Sequence, residues 1–155
     1  MNQIKRLWKP ELNKSQEENT MLKLIIGAKG SGKTKTLIEL VNNALKETKG
    51  SVVCIEKGDK LRFDISYQCR LIDTDEYQVK TPNGLYGFVA GILASNHDVS
   101  DLFIDSALKI CGNDQEKFDE FLAKVDALAT KHNVTCVITS SLPVENATDV
   151  EKMYL

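Results

Sequence analysis

Nowhere does this 155-residue chain hold the ~20 consecutive apolar residues that a membrane-spanning helix requires, which excludes integration through such a helix. Its four cysteines, Cys54, Cys69, Cys111 and Cys136, include no CxxC pair and have no histidine nearby, so a structural zinc site is not expected. Cys54, Cys111 and Cys136 fall in or beside apolar runs, where a free thiol behaves as a small buried hydrophobe. The N-terminus lacks the apolar core and small-residue cleavage site of a secretory signal. Together with unpaired cysteines this sets the expectation of a reducing, cytoplasmic compartment. No clustered basic face is visible, and the formal charge is −2, so a general grip on nucleic acid is not indicated.

What is present suits one globular domain. Hydrophobic residues make up 42% of the chain. A domain of this length buries about 68–70% of the surface its unfolded form exposes, enough for a core without disulfides or a structural metal. Residues 1–20 are polar, with four basic and three acidic side chains, and read as an N-terminal extension. Two readings stand open for it: a flexible appendage, or an arm that docks through Ile4, Leu7 and Trp8.

From Met21 the pattern changes. LKLIIG is a short apolar run, and Leu37, Leu40, Val41, Ala44 and Leu45 then recur on one helical face until Gly50. SVVCIE is a second β-branched run. LRFDIS and QCRLID alternate apolar with polar residues and predict a hairpin or pair of edge strands, an insertion near residues 60–80. Thr81 and Pro82 offer a cap and first-turn proline for a helix over 83–95, weakened by glycines at 84, 87 and 91. DLFID is a third strand, Asn113 and Glu116 make a capping-box-like helix start, and VTCVITSS is a fourth strand. Strands alternating with helices predict an α/β fold, a three-layer α/β/α sandwich with a mostly parallel sheet, over residues 21–155. The tail after Pro143 carries no clear pattern.

The most informative stretch is Gly27-Ala28-Lys29-Gly30-Ser31-Gly32-Lys33-Thr34. It fits G-x-x-x-x-G-K-[ST] and lies between an apolar strand and an amphipathic helix. Small residues let successive backbone N–H groups turn inward around an anion, and the helix presents its positive end to phosphates. The pattern assigns Lys33 to the β and γ oxygens of a nucleotide and the Thr34 hydroxyl to Mg²⁺. Lys29 and Lys35 read as solvated bystanders. A glycine-rich turn without a ligand is the bland alternative.

Here the sequence resembles the P-loop nucleotide hydrolases, through that Walker A motif and through Leu102-Phe103-Ile104-Asp105, an apolar strand ending in aspartate like Walker B. The resemblance covers these motifs and the strand–helix order. It implies ATP and Mg²⁺ as cofactors, with Asp105 holding the metal. Many members of the additional-strand division place a catalytic glutamate directly after that aspartate, where this chain has Ser106. In the RecA-like branch the glutamate comes from the neighbouring strand end, which makes Glu56 the candidate base and Asp59 a lesser substitute. The division also carries a polar residue after the fourth strand that senses phosphate, matching Thr139 and Ser140. Similarity to twitching-motility and secretion motors is faint, since their histidine and aspartate boxes are missing.

Three functions follow from the resemblance. The first is a small ATPase or ATP-driven switch with Glu56 and Lys33 as catalytic residues. A protein partner or second copy could supply an activating group, since the only arginines are Arg6, Arg62 and Arg70. The second is a small-molecule or nucleoside kinase with an acceptor site around Tyr77, Tyr86 and Phe88. The third is a nucleotide-binding interaction module without catalysis. His97 and His132 read as solvated residues. No [NT]KxD segment follows the aspartate-ending strand, so adenine is the default base.

Overall fold

The computed structural model describes residues 21–155. The expectations for residues 1–20 therefore lie outside the described residues. Five strands form a single sheet: β1 (Leu22–Gly27), β2 (Ser51–Glu56), β3 (Arg70–Asp73), β4 (Val99–Ile104) and β5 (Thr135–Ser141). Their spatial order is β1-β5-β4-β2-β3, and every pairing is parallel. Parallel strands need crossovers, which are supplied mainly by helices α1 (Lys33–Glu47), α2 (Pro82–Ser95) and α4 (Gln115–His132). The short helices α3 (Ala107–Ile110) and α5 (Asp149–Lys152) complete the described residues, with a 3-10 turn at Val144–Asn146. The fold is α/β, as expected, with helices on both faces of the sheet.

The two faces are covered differently. Leu24, Ile55, Leu102 and Ile138 point to one side and pack with Leu85 and Val89 of α2 and Phe118, Phe121 and Leu122 of α4. Val52, Cys54, Phe103 and Val137 point to the other side, where Leu37 and Val41 of α1 and the loop residues Leu61, Ile65 and Cys69 cover them. All four cysteines are free and buried. Helix α2 forms despite its glycines because the Thr81 side chain accepts from Gly84 N and Pro82 opens the first turn.

Two local expectations are corrected. LRFDIS forms no strand and no hairpin: Asp64 N and Ile65 N both donate to Leu61 O, closing a turn, while β3 runs parallel to β2 as the sheet edge. Leu61 and Ile65 are buried and Phe63 between them is exposed, so the true spacing is four residues rather than two. Helix α4 is capped by Asp114, whose side chain accepts from Lys117 N, and not by Asn113. Asn113 instead sits at φ 62°, where its N–H donates back to Leu108 O and ends the preceding helix. The patternless tail is also ordered by hydrogen bonds. Thr148 and Glu151 form a reciprocal capping box, and Leu24 N donates to Tyr154 O along the β1 edge.

Candidate functional site

At the carboxyl edge of the sheet, β1 delivers Gly27 into the turn that precedes α1. A Cβ on Gly27 would come within 2.5 Å of Ser31 Oγ, so a larger residue there would displace the Ser31 hydroxyl. Gly32 precedes α1 at φ 93°, a left-handed conformation that side chains rarely adopt. No side chain caps this helix and no acidic residue occupies its first turn. Its leading N–H groups are thus left without the partners that other helix starts receive from Thr81 or Asp114. Lys33 folds back over the loop, its ammonium donating to Ala28 O at 2.9 Å. Ser31 N donates to the same carbonyl at 3.1 Å.

Register brings the remaining candidates beside this turn. Ile25 pairs with Thr139 and Gly27 with Ser141, while Ile104 pairs with Ile138 and with Ile55. Asp105, one residue past β4, donates its N–H to Ile55 O at 2.8 Å and so stays in line with β2. Thr34 Oγ1 donates toward Asp105 Oδ1 and Oδ2 at 3.3 and 3.4 Å. The two motifs, 71 residues apart, thereby meet. Thr139 Oγ1 donates to Asp105 Oδ1 at 2.7 Å and accepts from Ser106 N at 2.9 Å, fixing the carboxylate from below. Ser106 itself is held at φ 59°, a strained conformation at the point where the chain leaves the sheet.

These residues border a cavity of about 620 Å³. Gly30, Gly32, Thr34, Asp105 and Ser106 line it, together with the cations Lys29, Lys33, Lys35, Lys60 and Lys109. Lys29 and Lys35 are exposed, as expected, and border the cavity. One carboxylate among five ammonium groups suits a multiply charged anion. The hard oxygens of Thr34 and Asp105 are of the donor type that Mg²⁺ accepts. No group of three or more His, Cys, Asp or Glu that could hold a metal by itself occurs among the described residues.

The other candidates are placed less directly. Glu56 is only 2% exposed and does not line the cavity. Its Oε1 accepts from Lys60 N and its Oε2 from Leu61 N, both at 3.1 Å. Burial raises its proton affinity above the usual carboxylate range, Asp105 and Asp73 add to the rise, and the two N–H bonds oppose it. Ser140 points to the α2 and α4 face, where its hydroxyl accepts from Leu108 N at 3.3 Å. Asp59 pairs with Arg62 at 3.1 Å. Tyr77 packs against Phe88 with ring centroids 5.7 Å apart, and Tyr86 lies under the Lys124 ammonium. None of these three aromatics lines the cavity.

Sequence reasoning missed Ser141, Lys60, Lys109 and Asn113, all of which line the cavity. Strand alternation was the available signal for Ser141, since residues 139 and 141 share a face and 140 does not. The other three depend on loop and turn geometry that carries no periodic mark. Among the described residues no helix is long and apolar enough to cross a membrane. Comparison with known proteins finds no matching family model and no matching curated relative.

Proposed function

We propose that this chain is a P-loop nucleotide-binding protein of the additional-strand division, and that it hydrolyses ATP with Mg²⁺ or uses ATP to drive a switch. The observation that carries the reading is the approach of Thr34 Oγ1 to the Asp105 carboxylate beside the uncapped start of α1. The strand order supports the division, because β5 lies between β1, which bears the loop, and β4, which bears the aspartate. Backbone N–H groups of residues 30–34 and the Lys33 ammonium would hold the β and γ phosphates. Thr34 and Asp105 would hold Mg²⁺, which would supply charge neutralisation to the phosphates.

In the hydrolytic reading water attacks the terminal phosphoryl group, the bond to ADP breaks, and a proton passes from the water to Glu56. The raised proton affinity of Glu56 suits a base. A carboxylate has about four lone-pair sites and Glu56 uses two on the Lys60–Leu61 turn, which leaves capacity for a water once that turn admits one. Its occupation by the turn is also what favours the second reading, a nucleotide-responsive switch without turnover of its own. Thr139 belongs to the site as the residue that orients Asp105 rather than as a group touching phosphate.

Phosphate release from ATP, measured with Mg²⁺ in wild type and Glu56→Gln beside binding of a non-hydrolysable ATP analogue, separates the readings. Hydrolysis that collapses in the variant while binding survives supports the ATPase. Binding without hydrolysis in either protein favours the switch, and absence of nucleotide binding in the wild type rejects both.

A further inference from the structure

Among the described residues, five lysines and no arginine line the cavity. Three of them belong to the glycine-rich loop and the first turn of α1, but Lys60 and Lys109 arrive from other parts of the fold. Lys60 lies in the turn after β2, and Lys109 lies on α3, four residues after Asp105. Neither ammonium belongs to an ion pair among the described residues. Neither of the two arginines among the described residues borders the cavity. Arg62 pairs with Asp59 and lies 4.7 Å from the centre of the Phe63 ring, and Arg70 is exposed on the edge strand.

Both lysines stand on anchored backbone. The Lys60 N–H is held by Glu56, and its neighbour Leu61 is buried while still bordering the cavity. Helix α3 is fixed by the Leu108 N–H to Ser140 Oγ bond and by the buried side chains of Leu108 and Ile110. Anchored backbone leaves only side-chain freedom to be lost when either lysine is ordered on a ligand. Thr34 and Asp105, whose side chains approach each other at 3.3 Å, are the residues that would hold Mg²⁺, which would supply charge neutralisation to the phosphates. Lys60 and Lys109 follow the carboxyl ends of β2 and β4, the strands that end in Glu56 and lead into Asp105, whereas the loop's own cations follow β1.

We propose that Lys60 and Lys109 bind the terminal phosphoryl group of the nucleotide, supplying from within the chain the cationic charge that an arginine from a second subunit would otherwise provide. The inference rests on the nucleotide-binding reading of the same cavity. An ammonium is a compact charge with three donors, suited to an oxygen cluster whose charge shifts during transfer. It follows that the pair discriminates a triphosphate from a diphosphate, while the loop itself holds either.

Calorimetric affinities for ADP and for a non-hydrolysable ATP analogue, each with Mg²⁺, test this on the full chain carrying Lys60→Ala, Lys109→Ala or both, with thermal unfolding to verify folding. Loss of one charged hydrogen bond corresponds to about tenfold or more in affinity. The double variant is expected to lose at least about tenfold for the analogue and less than about twofold for ADP, with Lys60→Arg keeping the preference. Equal losses for both nucleotides, or none, overturn the assignment while leaving the nucleotide reading intact. A folded wild type that binds neither nucleotide overturns both.

Discussion

The two faces of the sheet use the same strands for opposite ends. On one face α2 and α4 lay long apolar stripes across the strands, and Phe118, Leu122 and Ile138 are completely buried. On the other a single long helix and the 57–69 loop cover the sheet, and the cavity opens at its carboxyl edge. Alternation along each strand therefore decides the fate of a polar side chain. Glu56, Asp105, Thr139 and Ser141 share the parity of the α1 face and stand in or beside the site, whereas Ser140 turns away and braces α3. A chemical group at a strand end becomes useful only on the face that packing leaves incomplete, as expected for open parallel sheets.

The contrast is broken most severely from the dense side. Phe118→Ala should cost about 3–5 kcal/mol in urea unfolding, because it leaves a cavity between α4 and the sheet. The ligand affinity of the remaining folded protein should change little. Thr139→Val tests the open face: it removes a donor from Asp105 and an acceptor from Ser106 N, at a cost of about 1–3 kcal/mol. Unlike the first substitution it should also weaken the dependence of nucleotide binding on Mg²⁺, measured by titration.

A third test concerns the helix end farthest in character from the site. Asp119 Oδ1 and Glu151 Oε2 are buried without a donor, which one shared proton would satisfy. Burial, with the Glu151 carboxyl beside it, pushes Asp119 up from 3.8 to about 7, while Thr148 opposes the rise. The folded state then binds more protons than the unfolded state between those values, so stability should be highest near the lower one and fall as pH rises toward the upper. Gln115 and Thr148 face the same pair, and both donate to Glu151 Oε1. Asp119→Asn should flatten this slope in thermal unfolding across that range. The smallest effect belongs to Phe63→Ala, within about 0.5 kcal/mol, because the ring is 85% exposed on the loop.

Parts of the molecule that obey a local rule were readable in the sequence. The glycine-rich loop is fixed by spacing, and α2 announces itself through Thr81 and Pro82 even with three glycines inside. Runs such as VVCI and LFI mark strands buried on both faces, from which the parallel sheet follows. The 57–69 loop defeated the same reasoning because Leu61, Phe63 and Ile65 mimic strand alternation while only Leu61 and Ile65 are buried. The α4 cap shifted by one residue because Asn113 was needed in a left-handed turn. For the candidate site, the loop, Asp105 and Thr139 converge, but the engagement of Glu56 and the entry of Lys60 and Lys109 depend on how one turn folds back.

Whether the cavity beside α1 takes a nucleoside triphosphate is tested by calorimetric titration of Mg²⁺ with a non-hydrolysable ATP analogue into wild type and Lys33→Ala. Saturable one-to-one binding in the wild type, weakened by about 10- to 100-fold in a variant that unfolds at the same temperature, is the predicted result. Equal affinity in the two proteins, or no binding by folded wild type, would contradict it.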